Sequence, residues 1–303
     1  MLNVDMLACR LREQLPGLEL LFEEPMSRHT TFKVGGPAAL MARPKSEEEA
    51  VAAVRVAREL GIEPIFVGNG SNLLVDDRGL DAFVIVTTPG LARCERDGER
   101  IIGGCGTVLA ALANEAARAS LTGLEFAHGI PGTLGGAVTM NAGAYDGEMR
   151  QVVEWVRVLN ENGEVEVLSG EQCEFSYRHS LFSNRNCLIL AACLRLRQGD
   201  EEQIRARMAE LMSRRKEKQP LEFPSAGSTF KRPEGYFAAA LIDQCGLKGH
   251  AVGGAQVSPK HAGFVVNTGT ATCQDILDLM DEVKASVYQA TGVTLEPEVK
   301  YLK

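Results

Sequence analysis

The chain has 303 residues, of which 45% are hydrophobic and 24% are charged, the balance of a folded globular protein with two or three domains. Its formal net charge of −8 argues against a general affinity for nucleic acid. No apolar run approaches the ~20 residues of a membrane span, and the start MLNVDMLACRLREQLPGLEL lacks the pattern of a signal peptide. We therefore expect a cytoplasmic protein without nucleic-acid or membrane partners.

The eight cysteines form no CxxC pair and no Cys/His cluster with zinc spacing. Without an export signal, reduced thiols that mostly fill core positions are the best interpretation. No metal site is predicted.

The first part of the chain alternates helix and strand. A helix begins after Ser46 and ends at Gly61, because a serine cap precedes three glutamates and a glycine stops the apolar pattern. The strand IEPIFV follows and leads into the glycine loop 68–72. A further strand is predicted at 83–87 and a helix over about 107–119.

Further along the chain, apolar and polar residues alternate on both sides of Asn162-Gly163. This pattern predicts a β-hairpin. The remaining predicted elements are a strand at 187–197, a helix over about 200–217, a small helix near 236–245, a strand at 263–267, a helix from Thr272 to about Ala290, and a final strand VTLEPEVKYL. The pair Thr272-x-x-Asp275 is predicted to cap the helix that begins there. The fold class is α+β with two or three lobes.

The loop GNGSN, residues 68–72, follows a strand and has two glycines two positions apart, which lets backbone N–H groups approach a phosphate. The third glycine of a Rossmann fingerprint would fall at position 73, which is Leu73, and no helix follows. Rossmann binding is therefore disfavoured, and an ordinary strand-end turn is an equal alternative.

A second glycine-rich stretch, HGIPGTLGGAVTMNAGAYDG at 128–147, contains six glycines and the rigid Pro131. Such a stretch suits close backbone contact with a flat or phosphorylated ligand. The alternative is a tight packing loop. Because the stretch has little charge, we expect backbone dipoles to dominate any binding.

Polar residues further along the chain have several possible roles. Ser228, in PSAGSTFKRP, could be a nucleophile, a phosphate contact, a proton donor or a turn residue; the nucleophile role is weak because position 230 is Phe and not the glycine of GxSxG. Arg178, in FSYRHS, offers a planar fork for a carboxylate but could be an ordinary surface arginine. Lys231 and Arg232 could bind an anionic substrate or simply be solvated.

Seven stretches in order closely resemble one family, the UDP-N-acetylenolpyruvoylglucosamine reductases (MurB), in the form without an extra tyrosine-bearing loop. They are HTTFKVGGPA, VGNGSNLLV, GIPGTLGGAVTMNAGAY, FSYRHS, QPLEFPSAGSTFKRP, GGAQVSPKHAGFVVN and LEPEV. The resemblance implies an α+β protein with a two-lobed FAD-binding domain of the vanillyl-oxidase (PCMH) type and a smaller α+β substrate-binding domain. The implied division is 1–88 and 89–199 for the two FAD-binding lobes and 200–303 for the substrate domain, whose last strand returns to the flavin.

The resemblance also implies non-covalent FAD, with NADPH and the substrate using one shared space. It places the cofactor against Gly68, Asn69, Gly70, Ser71, Asn72, Gly129, Ile130, Pro131, Gly132, Thr133, Gly136, Ala137, Asn141, Ala142 and Gly143. His128, Asp146 and His250 depart from the family pattern, and we interpret His128 as a local substitution rather than a flavin attachment point.

The implied reaction transfers a hydride from NADPH to the flavin and then to C3 of the enolpyruvyl ether of UDP-N-acetylglucosamine, giving UDP-N-acetylmuramate for peptidoglycan synthesis. Arg178 and Glu298 would stabilise the negative charge that develops on the carboxylate, Glu298 by donating a hydrogen bond, which requires a protonated carboxyl with a raised pKa. Ser228 would donate the proton to C2. The implied substrate contacts are Lys231 for the phosphates and, with weaker support, Tyr177, His261 and Asn267.

Two other functions stay open at this point. Another flavin oxidoreductase acting on a hydroxy acid or alcohol would share the glycine stretches, and a non-catalytic nucleotide-sugar binding protein would keep Lys231 and tolerate loss of Ser228. A serine hydrolase is a more distant alternative. We expect a monomer or a weak oligomer.

Overall fold

The computed structural model describes residues 2–303, which fold into seven α-helices and eighteen β-strands. The helices are α1 (Val4–Gln14), α2 (Glu47–Glu59), α3 (Leu109–Arg118), α4 (Leu134–Thr139), α5 (Glu201–Lys218), α6 (Ala238–Gln244) and α7 (Cys273–Thr291). The strands are β1 (Glu19–Pro25), β2 (Pro37–Arg43), β3 (Ile65–Val67), β4 (Leu73–Val75), β5 (Leu80–Val86), β6 (Cys94–Asp97), β7 (Arg100–Gly104), β8 (Leu121–Thr122), β9 (Gly143–Ala144), β10 (Gly147–Glu148), β11 (Val153–Leu159), β12 (Val165–Ser169), β13 (Leu188–Arg195), β14 (Arg197–Gln198), β15 (Ala251–Val252), β16 (Ala255–Val257), β17 (Val265–Asn267) and β18 (Lys300–Leu302).

The chain divides into two compact units, each with its own hydrophobic core. The first unit holds the chain up to Glu23 together with Ala39–Asn69 and Asp81–Ser213, and the second holds Glu24–Ala38, Gly70–Leu80 and Arg214–Lys303. Each unit is thus assembled from separate stretches of chain. The predicted three-part division, with borders after residues 88 and 199, stays a prediction.

The predicted alternation of helix and strand is present in the first unit. The Ser46 hydroxyl accepts a hydrogen bond from the Glu49 amide at 3.2 Å and begins α2, whose apolar face is buried. Strand β3 then pairs in parallel with β5 in a four-stranded sheet ordered β1-β2-β5-β3, most of which belongs to this unit.

A five-stranded antiparallel sheet ordered β12-β11-β13-β7-β6 completes the first unit. The predicted hairpin is confirmed: β11 and β12 pair across a loop in which the Asn160 side chain accepts from the Asn162 and Glu164 amides. Strand β13 is buried at every residue except Arg195, which explains its nearly continuous apolar sequence.

The second unit packs α6 and α7 with a three-stranded antiparallel sheet, β15-β16-β17, and a parallel pair, β18 with β4. The predicted cap of α7 is confirmed, since Thr272 and Asp275 each accept from the other's backbone amide. No helix of residues 2–303 has the length and apolar character needed to cross a membrane.

Two local expectations differ from the structure. The final strand covers only Lys300–Leu302, because Glu296 and Glu298 instead bond to residues 229–231 and the chain then changes partner to β4. A helix, α4, lies inside the glycine-rich stretch although two glycines occupy its first turn. Burial of Leu134 and Val138 stabilises it where intrinsic propensity would not.

Candidate active site

Residues 128–143, called here the glycine segment, lie against the end of β3 within the first unit. The Asn69 side chain donates to the Pro131 carbonyl oxygen at 2.7 Å. A Cβ atom on Gly68 would overlap the Thr133 hydroxyl. The structure therefore brings the first two residues of the GNGSN loop beside the glycine segment, as expected for two parts of one binding site.

Tight packing accounts for two glycines of this segment without any ligand. A Cβ on Gly135 would lie 2.9 Å from the Cβ of Cys105, and one on Gly143 would lie 2.6 Å from the Gly147 carbonyl oxygen. The Gly135 amide also donates to the Cys105 carbonyl at 2.9 Å. The packing interpretation weighed in the sequence analysis thus applies to part of the segment.

Gly136 is different, because neither packing nor backbone conformation requires a glycine there. It is exposed, and the nearest atom to a Cβ would be the Thr133 hydroxyl oxygen at an ordinary 3.8 Å. A backbone left bare at an open position is the cradle that a flat cofactor needs. Gly136 therefore fits an FAD contact better than a packing role.

His128, at the start of the glycine segment, is partly buried, and its Nδ1 atom is buried without a hydrogen-bond partner among the described residues. Burial lowers the pKa of His128, which favours the neutral ring near pH 7. An orphaned ring nitrogen beside the glycine segment is consistent with a polar atom of a bound group in the same place.

The rest of the GNGSN loop belongs to the second unit. Gly70 has a φ of +58°, and a Cβ there would overlap the His29 carbonyl oxygen, so glycine is required on both counts. The loop leads into strand β4 and not into a helix, in agreement with the argument against a Rossmann site.

Arg178 lies next to the glycine segment in the first unit. Its guanidinium donates to the Gly143 carbonyl oxygen at 3.2 Å and sits 5.2 Å from the centre of the Tyr177 ring. The backbone at Arg178 is left-handed, with φ at +54°, inside a tight turn closed by Ser176 and His179. Arg178 is thus a held, partly buried cation and not a freely solvated one.

Asn141 explains how that turn is fixed. The Asn141 side chain is 0% exposed, donates to the Ser176 carbonyl at 2.9 Å and to the Glu148 carboxylate at 3.1 Å, and accepts from the Arg150 amide. This arrangement argues for a structural role of its side chain, so that any contact of Asn141 with a cofactor would be through the backbone.

Glu298 pairs with the residue that follows Ser228 on one antiparallel ladder in the second unit, called here the serine–glutamate ladder (residues 229–231 with 296–298). The Glu298 amide donates to the Thr229 carbonyl at 2.8 Å, and the Lys231 amide donates to the Glu296 carbonyl at 2.9 Å. Thr229 is fully buried, whereas its neighbour Ser228 is exposed. The backbone of Glu298 is therefore held opposite Thr229, the immediate neighbour of Ser228.

The predicted substrate contacts differ in their exposure and in their hydrogen bonds. The Lys231 ammonium is 3.3 Å from the exposed Glu296 carboxylate, and Tyr177 is exposed. His261 accepts from the Gly263 amide, and burial lowers the pKa of its ring. Asn267 is buried and bonded to the Phe32 carbonyl and to the amides of the following turn, which argues against a substrate contact through its side chain.

Asp76, Arg78 and Tyr301 bond to one another in the second unit, and none of the three was predicted as a site residue. The only local signal was the pair of acids directly after strand β4, in VDDRG, which is common in ordinary loops. Among residues 2–303, no group of three or more His, Cys, Asp or Glu side chains could hold a metal ion.

Comparison with known proteins identifies both parts of the chain. Residues 38–169 match the family model described as "FAD binding domain", and residues 219–302 match "UDP-N-acetylenolpyruvoylglucosamine reductase, C-terminal domain". These matches confirm the predicted fold class and the predicted FAD cofactor.

Curated relatives match along nearly the whole chain. UDP-N-acetylenolpyruvoylglucosamine reductase of Caldanaerobacter subterraneus is 47% identical over 98% of each chain, and that of Clostridium novyi is 50% identical over 91% of this chain and 89% of the relative. The crystal structure of the enzyme (MurB) from Thermus caldophilus has a TM-score of 0.80 at 37% identity, over 94% of this chain and 99% of that one. This chain belongs to the UDP-N-acetylenolpyruvoylglucosamine reductase family.

Proposed function

We propose that this chain reduces the enolpyruvyl group of UDP-N-acetylenolpyruvoylglucosamine to give UDP-N-acetylmuramate in peptidoglycan precursor synthesis, with FAD as cofactor and NADPH as hydride donor. The observation that supports it best is the serine–glutamate ladder: in a chain with an FAD-binding domain, the Glu298 backbone is bonded to Thr229, the neighbour of the exposed Ser228. A cytoplasmic location is part of the proposal, since all eight cysteines are free thiols.

The glycine segment and Gly68–Asn69 would hold FAD, with Gly136 as the backbone position left open for it. When bound, FAD supplies the hydride chemistry, taking a hydride from NADPH and giving one to C3 of the substrate. The protein's own contribution is to position the substrate, to stabilise charge and to move one proton.

Hydride addition at C3 leaves negative charge on C2 and on the attached carboxylate. Arg178, held by its bond to Gly143, would place a fixed cation at that carboxylate. Glu298 would donate a hydrogen bond to the same charge from a protonated carboxyl. Arg178 is held by a bond within the first unit and the Glu298 backbone by bonds within the second.

Ser228 would donate the proton that C2 finally needs. A hydroxyl is a poor acid in water, but the charged intermediate is strongly basic and the serine is exposed beside a rigid, buried Thr229. Lys231 would contact the substrate phosphates, at the expense of its exposed pairing with Glu296. Tyr177 and His261 are further candidates for substrate contacts.

The test is a visible spectrum of the purified protein under anaerobic conditions. We expect a yellow protein that bleaches with NADPH and regains its colour when the enolpyruvyl UDP-sugar is added. A colourless protein that takes up no added FAD would overturn the proposal. A yellow protein that bleaches but ignores the UDP-sugar would keep the flavin site and reject this substrate.

A further inference from the structure

The backbone of Glu298 is fixed on both sides within the second unit. Its amide donates to the Thr229 carbonyl at 2.8 Å, and its carbonyl accepts from the Asn72 side chain at 3.0 Å. Thr229 is itself anchored, since its amide donates to the Gly263 carbonyl and its hydroxyl accepts from the Val265 amide. These bonds fix the backbone of Glu298.

Asn72 makes two hydrogen bonds to the chain around Glu298. Its side chain bonds to Glu298, and its backbone carbonyl accepts from the Lys300 amide at 2.9 Å. The two bonds flank the buried Val299, so they fix the rotation of this stretch as well as its position. Strand β18 then continues in parallel register with β4, pairing Lys300 with Leu73 and Tyr301 with Leu74.

Tyr301, within β18, stabilises the same register through its side chain. Its hydroxyl donates to the Asp76 carboxylate at 2.5 Å, and the Arg78 guanidinium donates to both oxygens of the same carboxylate at 3.0 Å. Hydrogen bonds from Arg78 and then Tyr301 hold the pKa of Asp76 well below its usual value, and the bond to Asp76 raises the pKa of Tyr301 to about 12. Near neutral pH the pair is a phenol bonded to a carboxylate, a charge-assisted bond.

Register matters here because side chains alternate along an extended chain. A slip of one residue would turn Glu298 away and bring the apolar Val299 to its place. Asn72 holds the strand at Glu298 and Lys300, Tyr301 holds it at the next residue, and both oppose such a slip. Neither residue needs to touch the substrate to do so.

We propose that Asn72 and Tyr301 are positioning residues that hold Glu298 in the register needed for substrate reduction. The inference rests on the proposed function of Glu298. It adds a role for Asn72 beyond the predicted contact with FAD, and a role for Tyr301, to which the sequence analysis assigned none.

The test separates the two half-reactions in the FAD-loaded enzyme by rapid-mixing absorbance. We expect Tyr301→Phe to be reduced by NADPH at the wild-type rate and to be reoxidised by the enolpyruvyl UDP-sugar at least about tenfold more slowly, because misplacing a reacting group by about 1 Å can cost on the order of 100-fold. The concentration of UDP-sugar giving half-maximal reoxidation should change little. The matched control is Tyr288→Phe on α7, where the side chain is 60% exposed.

The results that would overturn the proposal are distinct. Reoxidation of Tyr301→Phe at the wild-type rate would reject the positioning role, and equal slowing of both half-reactions would show a general structural defect instead. If Tyr301→Phe does not fold, Asp76→Asn replaces it, since it keeps an acceptor for the phenol and removes the charge; a smaller but selective slowing of reoxidation is expected. Failure of the wild type itself to be reoxidised by the UDP-sugar would reject the proposed function.

Discussion

The glycine segment of the first unit and the serine–glutamate ladder of the second differ in how their backbones are held. In the glycine segment, missing side chains let backbones approach closely, as where Gly135 meets Cys105. The ladder is instead held by hydrogen bonds from residues far away in the sequence, as where the Asn72 side chain donates to the Glu298 carbonyl. The first arrangement leaves a bare surface that suits a cofactor, and the second aims particular side chains, which suits proton transfer and charge stabilisation.

Replacing Ser228 should have the largest effect and should sharpen this contrast. We expect Ser228→Ala to lower turnover about 100- to 10,000-fold, the range attributed to a positioned proton donor, while FAD binding and reduction by NADPH stay at the wild-type level. Steady-state turnover and anaerobic flavin reduction measure the two effects. Ser225→Ala, three residues earlier and partly buried, is the matched control. Loss of FAD from Ser228→Ala would instead mean that Ser228 contributes to FAD binding and would contradict the proton-donor role.

Variants of Glu298 should show whether its side chain acts as a hydrogen-bond donor to the substrate. If a protonated Glu298 donates to the substrate carboxylate, Glu298→Gln should retain most of the turnover, because an amide also donates. Glu298→Ala should lose about 100- to 1,000-fold, the cost of removing one such donor. The measurement is kcat of both variants across a range of pH. A collapse of Glu298→Gln as deep as that of Glu298→Ala would contradict the donor role.

Substitutions at the adjacent Gly135 and Gly136 test whether the glycine segment binds FAD or only packs tightly. Gly135→Ala should destabilise the protein by about 1–3 kcal/mol, because its Cβ would lie 2.9 Å from that of Cys105 in a packed interior. Gly136→Ala should leave stability unchanged or raise it by up to about 1 kcal/mol, since alanine favours a helix, and should weaken FAD binding. Thermal unfolding without FAD and a titration with FAD separate the effects.

The outcome at Gly136 decides whether the glycine segment is more than a packing device. Equal FAD affinity in Gly136→Ala and the wild type would mean that packing accounts for the whole segment. Weaker FAD binding with normal stability would assign the open position to the cofactor.

The sequence could predict features that depend on neighbouring residues, but not features that depend on residues far away in the sequence. The caps of α2 and α7 were predictable, because Ser46–Glu49 and Thr272–Asp275 act over three residues. Helix α4 was not, since Gly135 and Gly136 oppose a helix locally and burial of its neighbours decides the outcome.

For the candidate site, residue types and motifs indicated Ser228, Arg178 and Glu298, but not what holds them. Asn72 and Glu298 are 226 positions apart, and Tyr301 and Asp76 are 225 apart. Bonds over such separations leave no periodic pattern in one sequence. For the same reason, the buried amide of Asn267 resembled a substrate contact, although its side chain bonds to Phe32, which lies 235 positions away.

The smallest expected effect concerns the charge on Asp76, and it depends on pH. Arg78 and Tyr301 hold the folded pKa of Asp76 below its ordinary value of 3.8, so the unfolded chain takes up a proton first as pH falls. The stabilisation from the Asp76 carboxylate should therefore be complete above about pH 4 and be lost progressively below it. The difference in unfolding free energy between the wild type and Asp76→Asn should then be constant from about pH 7 to pH 5 and shrink below about pH 4.

Urea unfolding midpoints of both proteins, measured at a series of pH values, test this expectation. Other carboxyl groups titrate alike in the two proteins, so their contributions cancel in the difference as long as they do not couple to position 76. A difference that stays constant down to about pH 3 would mean that a neutral carboxyl serves as well as a charged one. The register of β18 would then depend on the shape of the Asp76 side chain alone, and β18 would be held, like the glycine segment, by packing more than by charge.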